Sequence, residues 1–253
     1  MRFEDGLVFL SDTRTNAGVD NVSTYRKLFV YHPAPDRTIV IQSAGNLGTT
    51  QEVLDRLESD LNSADGDESL RTVGHLYEAA LYLGRLNVQV ADAHRSTVGN
   101  GVSCTFIIGG QIGDADADIY LVYPEGNYIR ASDERPFLQI GETKYGKFLL
   151  ELACQSGLGI EVAAKVALSS MISTARANLS VGPPYDLGIY RTSSHSLDHA
   201  RIEAGSSFLD ELEGVWYRHL TQALQELPMV DPGDVNPLRP VTFSAYRSSH
   251  LAG

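Results

Sequence analysis

The stretch Gly6-Leu7-Val8-Phe9-Leu10-Ser11-Asp12-Thr13-Arg14-Thr15-Asn16-Ala17-Gly18 opens with four consecutive apolar residues and closes on polar and turn-forming ones. A strand with one wet face alternates apolar and polar side chains, whereas a strand covered on both faces reads as an unbroken apolar run. Leu7 to Leu10 therefore reads as an inner strand. Leu28 to Tyr31 and Thr38 to Ile41 read the same way, separated by the turn formers Pro33-Ala34-Pro35-Asp36.

Downstream of these strands the period changes. From Thr50 to Leu61 the apolar residues are Val53, Leu54, Leu57 and Leu61. After an acidic loop, Ala64-Asp65-Gly66-Asp67-Glu68, helical spacing returns at Val73, Leu76, Tyr77, Ala80, Leu81 and Gly84. Ser103 to Gly109, Asp118 to Tyr123, Tyr128 to Ala131 and Phe137 to Gly141 read as strands, with a hairpin turn at Pro124-Glu125-Gly126-Asn127. A second helix pair follows. Tyr145, Phe148, Leu149 and Leu152 share one face, Gly157 and Gly159 break the chain, and Ile160, Ala163, Ala167, Met171 and Ala175 mark the next helix. Asp186 to Arg191 reads as a strand, and Phe208, Leu212, Trp216, Leu220 and Leu224 as a helix ending before Pro228. In the tail, Val241-Thr242-Phe243 could add a strand or dock on a neighbour.

Strands, a helix pair, strands, a helix pair and a last strand lack the strict alternation of a parallel doubly wound sheet. The order predicts an α+β fold: a four-layer αββα sandwich of two antiparallel sheets flanked by helices. One domain is expected over residues 1–253, with a C-terminal extension from about residue 228.

Composition narrows the function classes. The net charge of −12, without a Lys/Arg stripe, argues against nucleic acid as a partner. The longest apolar runs fall far short of the roughly 18 to 20 residues of a membrane helix. Met1-Arg2-Phe3-Glu4-Asp5-Gly6 carries two acids and no apolar core of a secretory signal. Cys104 and Cys154 are widely spaced in apolar surroundings, which suits buried reduced thiols and a cytoplasmic location.

Two short patterns invite a metal and are read otherwise. His195 and His199 have the spacing of a helical metal site but no Glu between them and no third ligand, so the segment reads as a solvated helix start. Asp114, Asp116 and Asp118 alternate as in a calcium loop, yet the glycine and the closing Glu are missing, so they read as a polar approach to a hairpin. No metal and no cofactor is expected.

The opening stretch resembles the first hairpin of proteasome β subunits, where a strand ends in an acid, a small residue and an arginine. Tyr25-Arg26-Lys27-Leu28-Phe29 resembles the strand carrying that family's active-site lysine. Ser43-Ala44-Gly45-Asn46-Leu47-Gly48 resembles its oxyanion turn. With Thr13-Arg14-Thr15-Asn16-Ala17-Gly18-Val19-Asp20-Asn21 and Asn178-Leu179-Ser180-Val181-Gly182-Pro183-Pro184, the chain is most similar to the Anbu branch, the ancestral bacterial proteasome β subunits. The resemblance implies a threonine-type N-terminal-nucleophile hydrolase acting on peptides or unfolded proteins inside a homo-oligomer, a ring or an open helical ring. It also implies a separate ATP-dependent unfoldase, since this chain carries no P-loop.

The chemistry suits those roles. An N-terminal threonine can use its own α-amine, which titrates near pH 8, as proton acceptor. A lysine ammonium nearby lowers the pKa of hydroxyl and amine alike, and an aspartate anchors it. By the resemblance Lys27 and Asp12 take these parts, Gly45 supplies the oxyanion N–H, and Arg14, Asn178 and Ser180 stand at the edge of the site. Asn178 replaces the acid of the proteasome's Asp-x-x-Ser-Gly arrangement, and Ser180 is displaced from it.

One departure bears on activity. No Thr, Ser or Cys precedes Ser11, and the nucleophile is expected about five residues before Met1, so the natural start is expected upstream. If Met1 were the true start, a catalytically silent assembly or scaffold subunit would be the alternative. Another amide hydrolase on the same fold is a third reading.

Overall fold

A computed structural model describes the chain except for residues 17–21, 64–67, 156 and 230–253. The closing part of the first hairpin motif, most of the acidic loop and the Val241-Thr242-Phe243 segment lie outside the described residues. The strands are β1 (Arg2–Phe3), β2 (Gly6–Asp12), β3 (Arg14–Asn16), β4 (Val22–Thr24), β5 (Leu28–Ala34), β6 (Arg37–Gly45), β7 (Cys104–Ile112), β8 (Asp118–Val122), β9 (Tyr128–Arg130), β10 (Tyr185–Arg191) and β11 (Leu197–Ile202). The helices are α1 (Leu47–Asn62), α2 (Leu76–Val98), α3 (Lys147–Ala153), α4 (Ile160–Ala177) and α5 (Ser207–Glu226). The chain separates into two compact units, Met1–Glu213 and Gly214–Gly253. The described part of the second is the continuation of α5 and the residues just after it.

Within the first unit, a four-stranded sheet in the order β1-β2-β10-β11 lies against a five-stranded sheet in the order β5-β6-β7-β8-β9, and both are antiparallel. The unbroken apolar runs are explained by this stacking. Leu7 and Phe9 of β2 meet Leu28, Val40, Ile119 and Tyr190 between the sheets. Their neighbours Val8 and Leu10 face Leu150, Ile160, Ala163 and Ala167 of α3 and α4. In β6, Val40 enters the inter-sheet layer while Ile39 and Ile41 pack under α1 and α2 with Val53, Leu57 and Leu83. Each such side chain, fully buried, contributes about 1.5–3 kcal/mol. The four-layer αββα architecture expected from element order is the observed one. At Gly109 the sheets approach so closely that a Cβ would lie 2.8 Å from the Phe9 ring, and only glycine leaves that space.

Three local expectations are corrected. Phe137 to Gly141 is not a strand. Phe137 is apolar because it packs with Phe3, Val8 and α4, and the neighbouring Pro136 accepts a bond from the N–H of Arg2 (2.7 Å) outside any ladder. His195 to His199 does not begin a helix. Leu197–Ile202 pairs with β10 in register from Tyr190↔Leu197 to Tyr185↔Ile202, so strand periodicity governs these residues and the helical metal spacing disappears. Finally, the face of α3 expected to be buried is turned outward: Phe148 is 68% exposed and Leu152 is 62% exposed, while Leu150 enters the core.

Among the described residues no helix is long and apolar enough to cross a membrane. None of their His, Cys, Asp and Glu side chains form a group of three that could hold a metal. Cys104 and Cys154 are both free and buried, and burial pushes each thiol up to about 11.

Candidate active site

A single residue, Thr13, separates the end of β2 from the start of β3. Asp12, the last residue of β2, accepts at Oδ2 from the N–H of Arg14 (3.2 Å) and of Gly182 (3.4 Å). The next side chain, Thr13, is fully buried and donates its hydroxyl to the Pro184 carbonyl (2.9 Å). Lys27 arrives just ahead of β5. Its Nζ donates to Asp12 Oδ1 (2.7 Å) and to the Arg14 carbonyl (2.6 Å), so one ammonium ties the start of the second sheet to the end of a strand in the first.

Gly45 ends β6 opposite Cys104. Its φ is +120°, and a Cβ would lie 2.4 Å from the Ser103 carbonyl oxygen, so no other residue fits there without moving the backbone. Asn46 then caps α1, its side chain accepting from the Thr49 N–H (3.0 Å) while its amide donates to Gly101 (2.9 Å). The turn at Gly45 and Asn46 thus sits at a helix N-terminus, where unpaired N–H groups and the helix dipole favour negative charge.

These pieces line one cavity of about 410 Å³. Its wall includes Met1, Leu10, Ser11, Asp12, Arg14, Lys27, Gln42, Gly45, Glu142 and Ser180. Along one side runs the edge of β2 beyond the two residue pairs it makes with β1, Arg2↔Leu7 and Phe3↔Gly6. There Gln42 Nε2 donates to the carbonyl of Leu10 (2.9 Å).

Of the residues singled out in the sequence, Asp12, Arg14, Lys27, Gly45 and Ser180 meet at this cavity, and Asn178 stands behind Ser180. Asn178 caps α4 in an extended conformation (φ −138°), not the left-handed one for which asparagine is favoured there. Its Oδ1 accepts from both the N–H (2.9 Å) and the hydroxyl (2.8 Å) of Ser180. Arg14 reaches the same loop, donating to the carbonyls of Leu179 (3.0 Å) and Val181 (3.4 Å), with its guanidinium 2.4 Å from where a Cβ of Gly182 would stand.

Sequence reasoning missed Glu142. Its Oε2 accepts from Asn178 Nδ2 (2.7 Å) and its Oε1 from the N–H of Lys144 (3.0 Å). A lone Glu after Gly141 carries no motif, so no local signal marks it. Cys104 lies near the site, with its sulfur 3.0 Å from Thr50 Oγ1, but burial pushes its thiol up to about 11 and so holds it protonated.

An anchored ammonium, a helix N-terminus at a glycine turn and an open cavity between them can lower the pKa of a hydroxyl and receive a developing oxyanion. Comparison with known proteins agrees with that architecture. No protein-family model matches the chain, and no curated protein does. Solved structures do. Anbu (ancestral β-subunit) from Yersinia bercovieri is 38% identical, with 91% of this chain and 97% of that chain covered and a TM-score of 0.85. The helical assembly of the Anbu complex from Pseudomonas aeruginosa is 37% identical over 92% and 97% of the two chains, with a TM-score of 0.87. Anbu from Hyphomicrobium sp. strain MC1 is 39% identical over 91% and 97%, with a TM-score of 0.83. At that identity and coverage, with the sheet order and the Asp12–Lys27–Gly45 cavity already in place, the chain belongs to the Anbu family of ancestral β-subunits.

Proposed function

We propose that the protein is a proteasome-like, threonine-type peptidase subunit that hydrolyses peptide bonds inside a cytoplasmic homo-oligomer. The observation that carries the reading is the Lys27 ammonium, fixed by Asp12 and the Arg14 carbonyl on the wall of a cavity that also holds Gly45. Continued in the β1–β2 register, chain preceding Met1 would run along Phe9 to Asp12, and a residue about five places upstream would stand opposite Thr13, beside Lys27. A threonine there would attack the scissile carbonyl through Oγ, its proton passing to its own α-amine. The Gly45 N–H would receive the oxyanion, and the leaving amine would take up the proton. Water would then release the acyl group from the ester.

Assembly is part of the proposal. The relative from Pseudomonas aeruginosa forms a helical assembly, and the outward face of α3 carries Phe148 and Leu152, side chains that a partner subunit would cover. Folded substrates would need a separate ATP-dependent unfoldase, with peptides and unfolded chains entering directly.

The test is a matched peptidase assay on this chain and on a version extended upstream to a processed N-terminal threonine, with an intact-mass check of each terminus. Turnover by the extended protein alone, lost in Lys27→Ala, is the expected result. Assembly of both proteins without turnover on a broad peptide set would overturn it in favour of a scaffold subunit.

A further inference from the structure

Asn178 is an amide held between two groups that differ in what they can accept. Glu142 Oε2 is a carboxylate oxygen and can only accept, so it takes Asn178 Nδ2 (2.7 Å). That fixes Oδ1 on the opposite side, where it receives both the N–H (2.9 Å) and the hydroxyl proton (2.8 Å) of Ser180. Once its proton is committed to Asn178, the Ser180 oxygen offers only lone pairs, and Ser180 and Glu142 both lie on the cavity wall with Lys27. The chain Glu142–Asn178–Ser180 is therefore polarised in one direction, from a carboxylate to a hydroxyl oxygen able to accept an N–H.

We propose that Glu142 is a positioning residue that orients Asn178 and Ser180 so that the cavity presents a carboxylate-backed acceptor to the α-amine of the nucleophile. This rests on the peptidase reading above. An α-amine that takes the hydroxyl proton becomes an ammonium in the same step, beside the like charge of Lys27. An acceptor backed by a negative charge stabilises that ammonium. Without Glu142 the Ser180 N–H alone holds Asn178 Oδ1 in place, Nδ2 loses its anionic partner, and the Ser180 oxygen loses the negative charge that backs it.

The test exchanges the two groups in the threonine-bearing protein. Glu142→Gln removes the charge and leaves one amide oxygen where Asn178 Nδ2 and the Lys144 N–H each had a carboxylate oxygen; Asn178→Asp alone sets two carboxylates against each other. The combined Glu142→Gln/Asn178→Asp protein restores one carboxylate and one amide with the roles reversed, and Ser180 again donates to an acidic oxygen. The expected result is a kcat lower by about tenfold or more in each single variant with little change in KM, and substantial recovery in the exchange variant. A readout independent of turnover is the pH dependence of modification of the threonine amine by a small acylating reagent, followed by intact mass. The other charged side chains on the cavity, Asp12, Arg14, Arg26 and Lys27, and the neighbouring Lys144 and Arg176 are the same in every protein. A fall in the apparent pKa of that amine in Glu142→Gln, reversed in the exchange variant, supports the role. An amine pKa and a kcat that stay put in Glu142→Gln, or an exchange variant no better than the single ones, overturn it. Amine shifts as expected with no peptide turnover in any protein would sink the peptidase reading and leave the part assigned to Glu142 standing.

Discussion

Lys27 Nζ lies 2.7 Å from Asp12 Oδ1 and 2.6 Å from the Arg14 carbonyl, and the other oxygen of Asp12 has only the longer bonds from the N–H of Arg14 and Gly182. The ammonium is thus the strongest partner of a largely buried carboxylate. Lys27→Met is expected to lower stability by about 1–3 kcal/mol, because it strands that charge. Asp12→Asn is expected to be milder, since the Lys27 side chain is more exposed than that of Asp12 and its ammonium keeps the Arg14 carbonyl. Urea unfolding of both variants checks the order, and a milder Lys27→Met would contradict it.

Gly45→Ala should be among the most damaging small substitutions in the chain. It combines a φ of +120° with a Cβ only 2.4 Å from the Ser103 backbone oxygen. A cost of at least about 2 kcal/mol follows from strain alone, together with displacement of the turn that starts α1. Thermal unfolding against a control such as Gly157→Ala, where a Cβ meets nothing within 4 Å, isolates the effect.

Asp118 is buried in β8, accepts from the N–H of Ile119 (2.9 Å), pairs with Arg130 and stands 3.7 Å from Arg2 Nε. In the two-residue β1, Arg2 is thus tied to Asp118 as well as to Asp133 and the Pro136 carbonyl. Asp118→Ala should speed hydrogen exchange of the Val8 amide, which donates to the Met1 carbonyl (3.0 Å), while amides of the β6–β7 ladder stay slow. Equal protection in both proteins would remove the Arg2–Asp118 pair from what holds β1.

Both thiols ionise near pH 11 in the folded chain against 9.0 in a free one, because burial disfavours the thiolate. A raised acid pKa has no effect on stability while both states are protonated, so folding stability is expected to fall as pH climbs from about 9 towards 11. At pH 8 neither Cys104 nor Cys154 should react with an alkylating reagent until the protein is unfolded, which mass spectrometry reads directly.

Phe148→Glu and Leu152→Glu alter side chains that lie mostly in solvent. Each is expected to leave the unfolding midpoint unchanged and to reduce assembly size in light scattering. An unchanged assembly would place the subunit contact elsewhere.

Much of the sandwich was legible because burial on two faces writes an unbroken apolar run, as in Leu7 to Leu10 and Thr38 to Ile41, and few other structures do. The same rule misread Phe137 to Gly141, whose apolar side chains fill gaps beside α4 and between the sheets without joining a ladder. Periodicity also failed where an element owes its form to a partner. The strand Leu197–Ile202 is largely exposed and polar, and only pairing with β10 makes it a strand. Five of the six site residues named from the sequence line one cavity, since they lie at ends of strongly patterned elements. Glu142 sits in an irregular loop and acquires meaning only from Asn178, distant in the chain.

Arg14 links the Lys27 ammonium to the 178–182 loop. Its carbonyl receives the Lys27 ammonium, and its guanidinium lies over Gly182 with bonds to Leu179 and Val181. A shift of the 178–182 loop therefore pulls on a residue whose carbonyl holds Lys27. The 178–182 wall of the cavity and the Lys27 charge are thus joined twice, through Arg14 and through the Gly182 N–H on Asp12, so the placing of that charge is expected to respond to whatever settles against the loop.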